Sequence, residues 1–169
     1  LQSNRRDDFD AYPRPMDDDL AACAAVGVDA VYAPTAAAMY PEGFDTHVEP
    51  GALAAVLEGA QRPGHFRGVT TVVAKLFGAT RPHVAVFGQK DFQQLALITR
   101  MVASLNLPVT VIGVPTVRES DGLAMSSRNA YLSTDDRATA AVIPRAIAAA
   151  VAAAESGVRA GDVVAAAEQ

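Results

Sequence analysis

His83-Val84-Ala85-Val86-Phe87 runs straight into Gly88-Gln89-Lys90-Asp91-Phe92-Gln93-Gln94, and the two read together as a buried strand turning into a helix. From Phe92 to Ser104 the apolar residues Leu95, Ile98, Met101 and Val102, with Leu105 just beyond, recur at helical spacing. Gly88 to Lys90 is then the turn. A helix N-terminus offers free N–H groups and the positive end of a dipole, so a lysine there is disfavoured by roughly 0.3–1 kcal/mol unless an anion lies nearby. That points to a phosphate. A second reading makes Asp91 an N-cap with Gln94 reaching back in a capping box, and leaves Lys90 solvated.

Downstream, Val111-Ile112-Gly113-Val114-Pro115-Thr116-Val117-Arg118-Glu119 reads as a strand entering a loop. Asp121-Gly122-Leu123-Ala124-Met125-Ser126-Ser127-Arg128-Asn129 follows it. Two hydroxyls beside an arginine combine short donors with a planar fork, which suits the oxygens of a phosphate chain. The same residues also make turns: Ser and Asn bond to their own backbone, and Arg128 could pair with Asp121 or Glu119.

Around these stretches strands alternate with helices. Asp17 to Val26 reads as a helix with an acidic first turn, and Asp29-Ala30-Val31-Tyr32-Ala33 as a strand that Pro34 ends. A loop through Gly43 leads to a short strand at Thr46-His47-Val48, a helix from Ala52 to Glu58, and a helix from Arg67 to Phe77. Ser133, Asp135 and Asp136 start a helix that Pro144 kinks on its way to about Glu155, and another begins at Asp162. The alternation implies parallel βαβ units, in which ligands sit beyond the carboxyl ends of the strands. Gly88 and the Val117 region fall there.

With 169 residues, half of them hydrophobic, the chain is long enough to bury a core. A net charge of −5, and 14 basic residues scattered without a run, argue against nucleic acid as a partner. The longest apolar run, Ala146 to Ala154, falls short of the roughly 20 residues that span a bilayer and reads as helix, with no membrane partner. The single cysteine, Cys23, sits in an apolar helical run as a small core residue and fits a reducing cytoplasm. His47, His65 and His83 are dispersed, without metal-ligand spacing, and His65 reads as a structural histidine at a packed helix start.

Five blocks carry a resemblance: Asp8-Phe9-Asp10-Ala11-Tyr12-Pro13-Arg14, Met39-Tyr40-Pro41-Glu42-Gly43, His65-Phe66-Arg67-Gly68-Val69-Thr70-Thr71-Val72-Val73, Phe87 to Gln94, and Gly113 to Leu132. In this order and spacing the chain closely resembles the pantothenate synthetase family, ligases that join pantoate and β-alanine with ATP. The resemblance implies an α/β fold. A Rossmann-like nucleotidyltransferase domain with a parallel sheet, incomplete at its N-terminus, would occupy residues 1–116, and the start of a smaller α+β domain residues 117–169. It also implies a cytoplasmic homodimer that takes pantoate, β-alanine and ATP with Mg2+.

Residue by residue, the resemblance places Gly88, Gln89, Lys90 and Asp91 on ATP, with Lys90 reaching the phosphates and Gly88 allowing close backbone approach. Val117 would touch the adenine side through its backbone, and Met125, Ser126, Ser127 and Arg128 would close over the phosphates. Gln2 and Gln94 would hold pantoate, since amides donate to a carboxylate and accept from hydroxyls without adding negative charge. Tyr12 would close the pantoate pocket or merely cap a hydrophobic edge. Asp18 and Asp19 match an acidic pair near a magnesium position, or simply start a helix.

The chain also departs from the family. Ser3-Asn4-Arg5-Arg6 stands where an aromatic usually follows the substrate glutamine, and Gln89 replaces a common glutamate. The family's HxGH motif, whose histidines polarise the ATP phosphates, does not occur in this sequence. The expectation is therefore a fragment with half an ATP site, inactive alone. Two other readings compete: a nucleotidyltransferase of the same fold acting on a phosphorylated substrate, and a non-catalytic piece that binds substrate or dimerises.

Overall fold

The structure, a computed structural model, describes residues 12–168. In chain order it contains helices α1 (Met16–Ala25), α2 (Ala36–Met39), α3 (Glu58–Gln61) and α4 (His65–Thr80), strand β1 (Val84–Gly88), helix α5 (Phe92–Ser104), strand β2 (Thr110–Val114), and helices α6 (Thr134–Ala140), α7 (Val142–Glu155) and α8 (Ala160–Ala167). Single 3-10 turns lie at Ala52–Ala55, Gln89–Asp91 and Ser127–Tyr131. The chain divides into two compact units, Leu1–Val114 and Pro115–Gln169.

In the first unit β1 and β2 pair in parallel, Val84 opposite Thr110 and Gly88 opposite Val114, with α5 as the crossover between them. Side chains alternate across a strand. Ala85, Phe87 and Val111 therefore face a core built from Phe66, Val69, Val73 and Phe77 of α4 and Leu97, Ile98 and Met101 of α5. Val69 and Ile98 are fully buried, each such burial being worth about 1.5–3 kcal/mol. Val84, Val86, Ile112 and Val114 lie on the opposite face and stay exposed, although parallel sheets are ordinarily covered on both sides.

Several elements differ from the sequence reading. No strand forms at 29–33, where Val31 and Tyr32 are exposed and no ladder partner exists among the described residues. Residues 46–48 form none either, because side chains of α4 take the backbone groups: Thr71 Oγ1 accepts from Val48 N at 3.0 Å, and Thr70 Oγ1 donates to Val48 O at 2.8 Å. The expected helix over 52–58 is broken at Leu57, whose φ of 51° lies outside the helical region, leaving a 3-10 turn and the short α3. The helix expected over 67–77 is longer. It starts after Gly64 (φ 79°) and stops at left-handed Arg81 (φ 47°), with Pro82 unable to continue it. On α5, Leu97 is buried and Leu105 is not, because α4 and the sheet both pack on the helix and widen its apolar face.

In the second unit the expected kink at Pro144 is a break at Ala141. The proline ring would press on the carbonyl four residues back, Ala140, and that is where α6 ends. Ser133 caps α6, its Oγ accepting from Asp136 N at 3.1 Å. The helix expected from Asp162 begins at Ala160, with Asp162 in its first turn. Thr134–Glu155 is long and apolar enough, by length and composition alone, to cross a membrane.

Candidate functional site

Gly88 ends β1 opposite Val114 of β2, so Gln89-Lys90-Asp91 forms a 3-10 turn at the carboxyl edge of the parallel pair. This edge is where open α/β sheets bind ligands. All four residues from Gly88 to Asp91 are exposed. Asp91 does not play the part the capping alternative gives it. Asp91 makes no side-chain cap bond to α5; its carboxylate meets its neighbour Lys90 at 3.4 Å, so Lys90 is not simply solvated. Gln94 is half-buried on the first turn of α5.

Two neighbours of the turn escaped sequence reasoning. Gly113 of β2 lies under it: a Cβ there would stand 2.8 Å from Leu95 Cδ2 and 3.4 Å from Gln89 Cγ. Gln93, on the first turn of α5, grips a distant loop. Its Nε2 donates to Leu53 O and Val56 O, both at 2.8 Å, and its Oε1 accepts from Glu58 N at 3.2 Å. The signal for Gly113 was a glycine inside a strand, and for Gln93 a second amide beside Gln94.

In the second unit, residues 117–129 form a tight hairpin and turn. Arg118 and Ala124 bridge antiparallel, and Met125 N donates to Val117 O at 2.9 Å, which puts these two candidate residues side by side. Gly122 turns with φ 88°, held by the Arg118 guanidinium on its carbonyl at 2.9 Å. Asp121 accepts from Leu123 N and from both guanidinium nitrogens of Arg137, a partner the sequence did not suggest. The Arg137 hydrogen bonds, then the Leu123 N–H, hold the Asp121 carboxyl down at about 2. Ser126 uses its oxygen as a cap, accepting from Arg128 N at 3.2 Å, while its O–H remains able to donate. Val117, Met125, Ser127 and Arg128 are exposed. The hairpin and the lysine turn each present polar groups at a surface.

The sequence pattern of the pantoate-beta-alanine ligase family matches residues 1–169. The chain belongs to this family. Pantothenate synthetase of Geotalea daltonii is 61% identical over 134 residues, 79% of this chain and 48% of that protein. The enzyme of Acidothermus cellulolyticus is 58% identical over 157 residues, 93% of this chain and 52% of its own length. The chain thus spans about half the length of the curated relatives it matches. The crystal structure of pantothenate synthetase from Thermus thermophilus superposes with a TM-score of 0.96 at 50% identity, covering 99% of this chain and 61% of that one. Pantoate-beta-alanine ligase from Francisella tularensis, complexed with beta-gamma ATP and beta-alanine, gives a TM-score of 0.81 at 37% identity over 85% of this chain and 56% of that one.

Of the other residues that resemblance to pantoate-beta-alanine ligases singles out, Gln2 lies outside the described residues. Tyr12 is exposed. Asp18 and Asp19 stand with Asp17 in the exposed first turn of α1, where successive side chains point about 100° apart. Among the described residues no three His, Cys, Asp or Glu side chains gather to hold a metal. His65 opens α4 and is buried against Phe66, ring centroids 5.0 Å apart. Cys23 is half-buried on α1, a helix with no buried residue, so it is not the core residue expected. A cavity of about 600 Å³ in the first unit is lined by Tyr40, Phe44, His47, Arg67 and Thr71, and by none of the candidate residues. Tyr40 Oη is buried beside it without a partner among the described residues, and burial pushes the phenol up.

Proposed function

We propose that the full-length protein condenses pantoate with β-alanine at the expense of ATP, through a pantoyl adenylate, releasing AMP and diphosphate. The observation that carries this reading is the lysine turn at the carboxyl edge of the sheet in a chain whose backbone follows a pantothenate synthetase at a TM-score of 0.96. A carboxylate does not react with an amine in neutral water, since oxide would have to leave. A carboxylate oxygen of pantoate first attacks the α-phosphorus, and the bond to diphosphate breaks. The β-alanine nitrogen then attacks the activated carbonyl carbon, loses a proton, and AMP departs with the acyl–oxygen bond electrons. No enzyme nucleophile is needed; position and charge do the chemistry.

In this reading residues 1–116 hold ATP and pantoate, and residues 117–169 begin a second domain. Lys90 offsets charge growing on the departing diphosphate, and the exposed backbone of Gly88 to Asp91 lies along the nucleotide. Gln94, with Gln2, orients pantoate, and Tyr12 borders it. Val117 touches the adenine side through its backbone, while Met125, Ser126, Ser127 and Arg128 close over the phosphates. Asp18 and Asp19, in the first turn of α1, would lie near a Mg2+ that accompanies the nucleotide. The protein would work as a cytoplasmic homodimer. One AMP and one diphosphate per pantothenate made by the full-length protein is the expected stoichiometry; ADP and phosphate as products would contradict the reading.

A further inference from the structure

We infer that Gln93 is a positioning residue for adenylate formation, locking the 53–58 segment to the helix start that carries Lys90 and Gln94. The inference rests on the function proposed above but adds a residue to it. The segment needs an outside partner. Its 3-10 turn ends at Ala55, Leu57 has a φ of 51° and a ψ of −123°, and α3 begins only at Glu58, so the Leu53 carbonyl and the Glu58 N–H stand where a helix ladder is interrupted, beside the Val56 carbonyl, which also accepts from Gly59 N at 3.0 Å. One side chain meets all three: the Gln93 amide reaches Leu53 O and Val56 O at 2.8 Å and Glu58 N at 3.2 Å, across 35 to 40 residues of sequence.

The grip works in both directions. Gln93 lies two residues after the 3-10 turn that holds Lys90, so anchoring its amide fixes the first turn of α5, and with it the lysine turn and Gln94. On the other side of the turn, Gly113 packs under Gln89 and Leu95, where a Cβ would stand 3.4 Å from Gln89 Cγ and 2.8 Å from the movable end of Leu95. The lysine turn is thereby held between β2 below and the 53–58 segment beside it. Just past the segment, Gly59 is pressed so closely against the Ala54 carbonyl that no side chain fits, which packs the end of the segment against its start. Gln94, one residue along, lies about 100° around the helix, on the side assigned to pantoate.

The chemistry of the amide makes this testable. Gln93→Glu keeps the shape and the acceptor for Glu58 N but turns both donations to carbonyls into repulsions, and Gln93→Ala removes all three bonds. In the full-length protein both variants should lower single-turnover adenylate formation per folded active site by about tenfold to a hundredfold, the usual effect of a small misplacement. KM for ATP should stay within about twofold, while KM for pantoate rises because Gln94 shares the loosened turn. Amide exchange at Glu58 should accelerate at least tenfold in Gln93→Ala. A purely structural brace would lower the melting temperature but leave the per-site rate unchanged, and a packing role would be rescued by glutamate. Either result, with wild-type protein active, overturns the inference alone. Wild-type protein that forms no AMP would instead overturn the proposed function, and the role of Gln93 with it.

Discussion

Lys90 meets Asp91 at 3.4 Å with both side chains more than a third exposed, a pair of the kind worth about 0–1 kcal/mol. A triphosphate carrying several charges wins that competition easily, so the pair parks the lysine without blocking it. Lys90→Ala should therefore lower the adenylation rate by about 10²–10³ with little change in pantoate KM. Gln94→Ala should do the reverse, raising pantoate KM and sparing ATP; stopped-flow and steady-state kinetics on the full-length protein separate the two. The glycines divide by what they touch. A Cβ on Gly59 would lie 1.9 Å from the Ala54 carbonyl oxygen, which cannot move, whereas one on Gly113 meets the swinging end of Leu95. Gly59→Ala should cost stability toward the upper end of about 1–3 kcal/mol and Gly113→Ala less, as denaturant midpoints would show. The turn that carries Lys90 was legible from sequence because a cation at a helix start is unusual in itself. Gln93 was not, since its partners are backbone atoms 35 to 40 residues away and backbone atoms leave no mark on a sequence.

At the level of elements, periodicity found α4, α5 and both strands because each buries one face against the others. It failed at 29–33, 46–48 and 52–58, where partners decide: two threonine hydroxyls replace a ladder at Val48, and a positive φ at Leu57 interrupts a helix. The hairpin of the second unit depends on a pairing equally invisible in sequence, Asp121 with Arg137 sixteen residues on. The folded Asp121 pKa of about 2 lies below its ordinary 3.8, so its contribution to stability is full above about pH 4 and is lost as pH falls toward 2. Asp121→Asn should flatten the acid limb of the second unit's stability between those values and leave it unchanged in shape near pH 7. Circular dichroism melts across pH 2–7 would check this, and an unaltered acid limb in the variant would move the dependence to other carboxylates.

Across the whole molecule, the five sequence blocks established the family because order and spacing survive where single motifs are weak, and the 0.96 superposition follows the same α/β backbone. Which residues meet the nucleotide is a matter of assembly. The chain covers about half the length of its relatives and contains no HxGH pattern. Purified as 169 residues, it should therefore show no ligase turnover even though the lysine turn and the Ser126-Ser127-Arg128 loop are present; sustained pantothenate formation by it would make the family's histidines dispensable. If the pantoate carboxylate attacks the α-phosphorus of ATP, one of its oxygens passes into AMP. Supplying the full-length protein with pantoate labelled with ¹⁸O in the carboxylate, together with ATP and β-alanine, and weighing the products by mass spectrometry follows that oxygen. One ¹⁸O should enter AMP for each pantothenate formed and none should enter diphosphate; label in inorganic phosphate, or unlabelled AMP, would rule the attack out.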